Sequence, residues 1–281
     1  MPVVPVSLIE PIWAQFSVLL PEHPDVDPSH PLGCHRRRIP DRVVFDHVAA
    51  ALVHGSGYER IATPGCSDRT IRRRLRAWAE LGLMPKLHAL VLIQYDRMVG
   101  LELEDVAVDG CMTKAPSGGE VAGRSPVDRG KRGLKRSIVT DGTGVPVHVV
   151  AAGANRHDGP LLGPTLAGLE GFGPLPDTTV HLDRGYDSGV SRALLAELGF
   201  DGAIAGKGLP APIQAGKRWV VERTHAWMNG YGKLRRCTEK AKAVVDLYLF
   251  LAAALVVTRC LIQRARNRYR WPGRPTARRL T

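Results

Sequence analysis

What this 281-residue chain lacks narrows its class first. Its five cysteines, Cys34, Cys66, Cys111, Cys237 and Cys260, are odd in number and show no C-x-x-C spacing. Neither a disulfide framework nor a zinc module is supported, and a reduced, cytoplasmic chain is expected. The most apolar run, Leu247 to Val257, is closed by Asp246 and Arg259 and is too short for a bilayer core of about 30 Å. It predicts a buried helix and no membrane partner. The N-terminus, with Pro2 and Pro5, lacks the basic start and cleavage site of a secretory signal. No internal repeat is visible. Acid is also scarce: 27 Asp and Glu against 39 Lys and Arg leave a formal charge of +12, which points to a polyanion, nucleic acid before an anionic membrane. A hydrophobic content of 44% is ordinary for a globular protein with a real core.

Ser7-Leu8-Ile9-Glu10 fits a capping box, followed by Ile12, Trp13, Phe16 and Leu20 at helical spacing. Residues 21–40 read as a linker ending in the basic cluster Arg36 to Arg38. Three short helices are then predicted: Asp41 to His54, Gly57 to Ala62, and Asp68 to Leu81, the last capped by Ser67 and stopped by Gly82. This is helix-turn-helix patterning. In the third helix Ile71, Leu75 and Trp78 form the apolar stripe, while Arg69, Arg72, Arg73 and Arg76 line the opposite face. Such a face suits the DNA major groove and its phosphates, although a solvated face of good helix formers gives the same pattern. A further helix, Lys86 to Val99, completes a small all-α domain over residues 1–100.

Two apolar runs end in an acid. Asp105 to Val108 leads into Asp109-Gly110, and Thr178 to Leu182 leads into Asp183, which predicts each aspartate at the C-terminal end of a strand, on a sheet rim. A third acid, Glu222, lies in a helical stretch on whose Glu222 side Arg218, His225, Ala226 and Asn229 also fall. Each Asp alone reads more readily as a turn former or cap than as a ligand. Three carboxylates on separate elements point instead to a metal site, because hard divalent cations take oxygen ligands and need converging negative charge. Between them come a glycine-rich basic loop, Lys114 to Lys135, that holds Lys131 and Arg132, and a hairpin of Leu134 to Thr140 and Val145 to Ala151. A helix from Gly159 to Leu169, capped by Asp158 beside His157, precedes the second acid; a helix from Ser188 to Leu198 and a strand from Gly202 to Ala205 follow it. The segment Gln263 to Thr281, with seven arginines and no acid, reads as a basic tail.

The three acids and their neighbours resemble the DDE transposases of bacterial insertion sequences, particularly the insertion-sequence-five family. The motifs are Asp183-Arg184-Gly185-Tyr186 and the helix Arg218-Trp219-Val220-Val221-Glu222-Arg223-Thr224, and the resemblance runs from about Leu8 to Ile262. It implies a ribonuclease-H-like catalytic domain over residues 101–262, α/β with a mixed sheet flanked by helices, preceded by the helix-turn-helix domain and followed by a tail over 263–281. It implies Asp109, Asp183 and Glu222 as catalytic ligands of two Mg²⁺, or Mn²⁺, ions in an enzyme that cleaves DNA at the element's inverted ends and joins them to target DNA. A homodimer is the expected active complex. Arg218 matches the family's arginine and is expected on phosphate, as are Lys131 and Arg132. The family also has a Tyr three residues before that Arg and a basic residue seven after the Glu, where this chain has Ala215 and Asn229; Lys233, Arg235 and Arg236 lie one turn on. Tyr186 and Trp219 are candidates to stack on an unpaired base, with core packing favoured for Trp219, and Arg184 and Arg223 are charge partners or DNA contacts. A non-catalytic DNA-binding descendant and a structure-selective nuclease of the same fold are the alternatives.

Overall fold

The computed structural model describes residues 4–22, 38–175, 177–206 and 219–269. Helix α1 (Val6–Ser17) starts on Pro5 at its N-cap, with no side-chain cap. The capping box expected at Ser7 therefore does not form: proline's fixed φ starts the helix two residues earlier, and Glu10 pairs with Arg42 at 2.6 Å instead. Helix α2 (Asp41–His54) matches its expected bounds and stops at Gly55, whose φ of 68° is the left-handed conformation glycine favours. After the single turn of α3 (Tyr58–Ile61), α4 (Asp68–Glu80) is capped by Ser67, whose hydroxyl accepts from the Thr70 amide at 3.3 Å. Its stripe of Ile71, Leu75 and Trp78 is buried, with Trp78 edge-on to Phe16 at 5.0 Å. Helix α5 (Leu83–Met98) begins before the expected Lys86, because Gly82 at φ 61° turns the chain straight from α4 into it.

The sheet is built from β1 (Asp105–Lys114), β2 (Gly123–Arg124), β3 (Arg132–Asp141), β4 (Pro146–Gly153), β5 (Thr179–Leu182) and β6 (Asp201–Ile204). Its order is β4-β3-β1-β5-β6, with β2 pairing β3 beyond the end of β4. β3 runs antiparallel to β1 and β4, whereas β1, β5 and β6 are parallel. An antiparallel three-strand unit continued by two parallel strands from its first strand is the ribonuclease-H-like arrangement. The parallel crossovers carry α6 (Gly159–Leu166) and α7 (Gly189–Glu197); α8 (Trp219–Asn229), α9 (Gly232–Arg235) and α10 (Lys242–Arg268) follow.

Two expectations change in the sheet. Asp109 stands inside β1 rather than at its end, since pairing with β3 continues as far as Lys114 with Gly133. That pairing also takes Arg132 and Lys135 out of the expected loop and into β3.

Helix α10 forms the centre of the core, packing against α1, α4, α5 and β4. By length and composition it could cross a membrane, yet 83% of its most apolar window is buried inside the protein. Residues 263–268, expected in the tail, continue this helix, and Arg264 donates to the Tyr95 hydroxyl at 2.6 Å. Arg36, Arg37, Ala215, Arg218 and the tail beyond 269 lie outside the described residues.

Candidate active site

Parallel pairing sets the two aspartates in one row. Ala107 on β1 is registered with His181 on β5, and Asp109 and Asp183 each lie two residues further on. Continued two residues past the last paired residues, this register, with a side-chain period of two and strands about 4.8 Å apart, directs both side chains to the same face of the sheet. Asp183 keeps an extended conformation (φ −78°, ψ 173°) just past β5, and its Oδ1 accepts from the Gly185 amide at 2.8 Å. That face is covered by α8, which packs on β1 and β3. His225 Nε2 lies 3.8 Å from Asp109 Oδ2, and Glu222, three residues earlier, shares that side of the helix.

Charge repulsion registers the proximity. The Asp109 carboxyl is pushed up to about 7, first by burial and then by the fields of Asp183, Asp158 and Glu222, against a lowering contribution from the Gly110 amide, which donates to Oδ1 at 2.7 Å. Among the described residues, no three His, Cys, Asp or Glu side chains are closed into a ready-made ligand shell. The acids form an open rim. An all-oxygen donor set fits a hard divalent cation that completes its shell with water and substrate oxygens.

Asp158 is a fourth acid at this rim, and it does not cap α6 as expected. Its backbone is already helical (φ −74°, ψ −37°), unlike the extended conformation a capping residue adopts, so no cap hydrogen bond forms. Its carboxylate instead meets Lys135 Nζ at 3.0 Å and lies over Gly110, where a Cβ would stand 2.1 Å from Oδ1. Successive residues of β1 thus face opposite ways, Asp109 toward α8 and Gly110 toward the start of α6.

Behind Asp109, β3 places Arg136 in the core, 1% exposed. It donates to Asn229 Oδ1 at 2.7 Å, to the His225 carbonyl at 3.2 Å and to His225 Nδ1 at 3.4 Å. A basic residue at position 229 would set two cations at hydrogen-bonding distance, a physical reason for asparagine there. Burial first, then Arg136, push His225 down to about 3, so the imidazole is neutral. Sequence reasoning puts His225 on the correct side of its helix but misses its role, along with those of Asp158, Lys135 and Arg136. The adjacent Lys135-Arg136 pair between Leu134 and Ile138, two cations inside a strand, is the signal that could have found the last two.

The other expected contacts divide. Tyr186 is 1% exposed and packs beneath the acids, so it is no stacking platform. Trp219 reverses its expected core role: it is 43% exposed and carries Arg223 over its ring at 4.5 Å, with Trp227 on Arg223 at 4.7 Å. Arg223 also donates to the Thr143 carbonyl at 2.5 Å, a structural bond. Lys233 is buried against Glu239 at 2.5 Å, so of the three suggested substitutes only Arg235 and Arg236 are exposed. Arg236 lines a cavity of about 610 Å³ with Lys114, Lys131 and Arg132. On α4, Arg69, Arg73 and Arg76 are exposed. Arg72 is not available in the same way: it pairs with Glu59 at 2.7 Å and Asp68 at 3.4 Å, over the Tyr58 ring at 4.8 Å.

A ribonuclease-H-like sheet with two aspartates side by side and a glutamate-bearing helix over them belongs to the class of enzymes that break and join phosphodiester bonds. The family described as Transposase DDE domain matches residues 101–209. Over 141 residues the chain is 37% identical to a putative transposase for insertion sequence element IS402 from Burkholderia cepacia, covering 48% of this chain and 67% of that one. Among solved structures, a Mos1 transposase paired-end complex with left transposon end aligns over 93% of this chain and 86% of that chain, at 14% identity and a TM-score of 0.34. The catalytic domain of Mos1 mariner transposase aligns over 65% and 89%, at 11% identity and a TM-score of 0.33; scores this low do not bear on the fold. The chain belongs to the DDE transposase family of bacterial insertion sequences. It is a DNA transposase, a metal-dependent enzyme of DNA cleavage and strand transfer.

Proposed function

We propose that Asp109, Asp183 and Glu222 are the catalytic carboxylates and together hold two Mg²⁺ ions, with Mn²⁺ able to replace them. The observation that carries this reading is the register of β1 and β5, which sets Asp109 and Asp183 in one row under the helix that bears Glu222. Two ions there would activate the attacking water or 3′-hydroxyl and stabilise the leaving oxygen of a phosphodiester. The protein's own part is to hold and orient. The Gly110 and Gly185 amides each fix one oxygen of an aspartate, and the lone pairs not engaged by the protein are left for the ions.

The DNA-binding reading assigns recognition of the terminal inverted repeats to residues 1–100, chemistry to 101–262, and added phosphate contact to the arginine-rich end. Exposed Arg69, Arg73 and Arg76 on α4, the groove with Lys131 and Arg132, and Arg218 supply positive charge for phosphate. The same reading places the chain in the insertion-sequence-five family, acting as a homodimer on element ends and target DNA in the cytoplasm. Nicking of a supercoiled plasmid that carries the element's ends tests it. Asp183→Asn should abolish Mg²⁺-dependent nicking while a gel shift on end DNA keeps its wild-type midpoint. Equal loss of binding and cleavage would count against this division of labour.

A further inference from the structure

We propose that His225 is a positioning residue for Asp109: a neutral imidazole whose Nε2–H holds Asp109 Oδ2, in a tautomer fixed from behind by Arg136. The inference rests on the reading of Asp109 as an ion-holding carboxylate.

A guanidinium only donates, so the contact from Arg136 Nε to His225 Nδ1 at 3.4 Å requires Nδ1 to accept. The ring hydrogen of a neutral imidazole then sits on Nε2. That atom is buried beside the Asp109 backbone, meets no well-formed hydrogen-bond partner among the described residues, and lies 3.8 Å from Asp109 Oδ2. A small rotation of either side chain closes the gap, and a negatively charged Oδ2 supplies the reason to close it, since charge-assisted hydrogen bonds are the stronger ones. The other oxygen, Oδ1, already accepts from the Gly110 amide. With both oxygens engaged from the protein side, the remaining lone pairs are directed to the rim shared with Asp183.

Arg136 gives the arrangement its second support. Its hydrogen-bond partners among the described residues are the Cys111 thiol at 3.5 Å, the His225 carbonyl and ring, and Asn229, all uncharged groups. A buried cation therefore stands one imidazole away from a half-buried carboxylate. Placed directly on Asp109 it would compete with a metal ion; acting through His225 it orients the ligand and leaves the ion's place open.

Mn²⁺ titration of the full-length protein, followed by electron paramagnetic resonance, tests the role. His225→Phe fills the space without a donor and should weaken Mn²⁺ binding by roughly 10- to 100-fold, with the melting temperature in EDTA unchanged. His225→Gln, which returns an N–H near the Nε2 position, should recover affinity to within about threefold of wild type. Wild-type Mn²⁺ affinity in His225→Phe, while Asp109→Asn no longer binds the ion, overturns the positioning role and leaves the ion site standing. Undiminished binding in Asp109→Asn removes the ion site and this inference with it. Should His225→Phe not fold, the wild-type protein decides: ¹⁵N spectra of its histidines must show His225 protonated at Nε2, and an Nδ1–H form overturns the proposal.

Discussion

Asp109 carries a carboxyl group where burial and three neighbouring acids all oppose its charge. Its folded-state pKa, about 7 against an ordinary 3.8, makes it a stability liability in the absence of metal. Because the folded value is raised, the liability is absent below about pH 3.8, where stability is fully present, and that stability is lost as the pH climbs through 7. Asp109→Asn, neutral at every pH, should therefore melt higher than wild type in EDTA at pH 8, with the advantage shrinking toward pH 4. Millimolar Mg²⁺ should stabilise the wild type and not the variant. Calorimetry at the two pH values checks both statements; a constant difference would mean that Asp109 is not the strained acid. Asp109, expected at a strand end, lies inside β1, whereas the position of Asp183 just past β5 is legible in the sequence because an apolar run ending in an acid is a local pattern. Asp158 and Arg136 are not, because their roles come from packing across the sheet: Asp158 crosses to Lys135 and Gly110, and Arg136 crosses to α8.

Among the elements, α4 separates its arginines by what stands next to them. Arg69, Arg73 and Arg76 face solvent, while Arg72 is held between Glu59, Asp68 and the Tyr58 ring. If α4 reads the element's ends, Arg73→Ala or Arg76→Ala removes a bond to a base edge and should cost about 1 to 3 kcal/mol of preference for end DNA over random DNA. Arg72→Ala should leave that preference within about threefold of wild type, in the range of an ordinary surface substitution. Competition binding at several salt concentrations measures this, and a preference abolished by Arg72→Ala alone would reverse the assignment. Although Gly82, read as a stop, also opens α5 three residues before the expected Lys86, the bounds of α2 and the start of α4 are readable, the latter because its cap is written locally in Ser67. The end of β1 is not, because strand length is set by a partner: β3 pairs past Asp109 to Lys114, and a glycine inside the strand is tolerated where Asp158 needs the space.

Across the whole molecule, the buried hydrophobic residues from Val4 to Leu261 form one contiguous cluster. The N-terminal helices are tied to the catalytic fold by polar bonds as well. Tyr58 donates to Glu239 at 2.9 Å and meets the Tyr248 hydroxyl at 3.0 Å, and His88 Nε2 lies 3.0 Å from the Pro146 carbonyl. Gly55 and Gly232 approach so closely that a Cβ on Gly55 would stand 2.8 Å from the backbone of Gly232. This continuity is invisible to patterns of spacing, which describe one element at a time. It means that the face bearing α4 and the candidate carboxylates share one packed scaffold, so DNA held by one, as proposed, would be presented to the other in a fixed relation. The most direct measurement is anomalous diffraction from crystals of the protein bound to end DNA and Mn²⁺. Manganese peaks between Asp109 and Asp183, with Glu222 in the same ligand shell, are the predicted result. Manganese bound elsewhere, or a shell that excludes Glu222, would contradict the assignment of these three residues as the catalytic carboxylates.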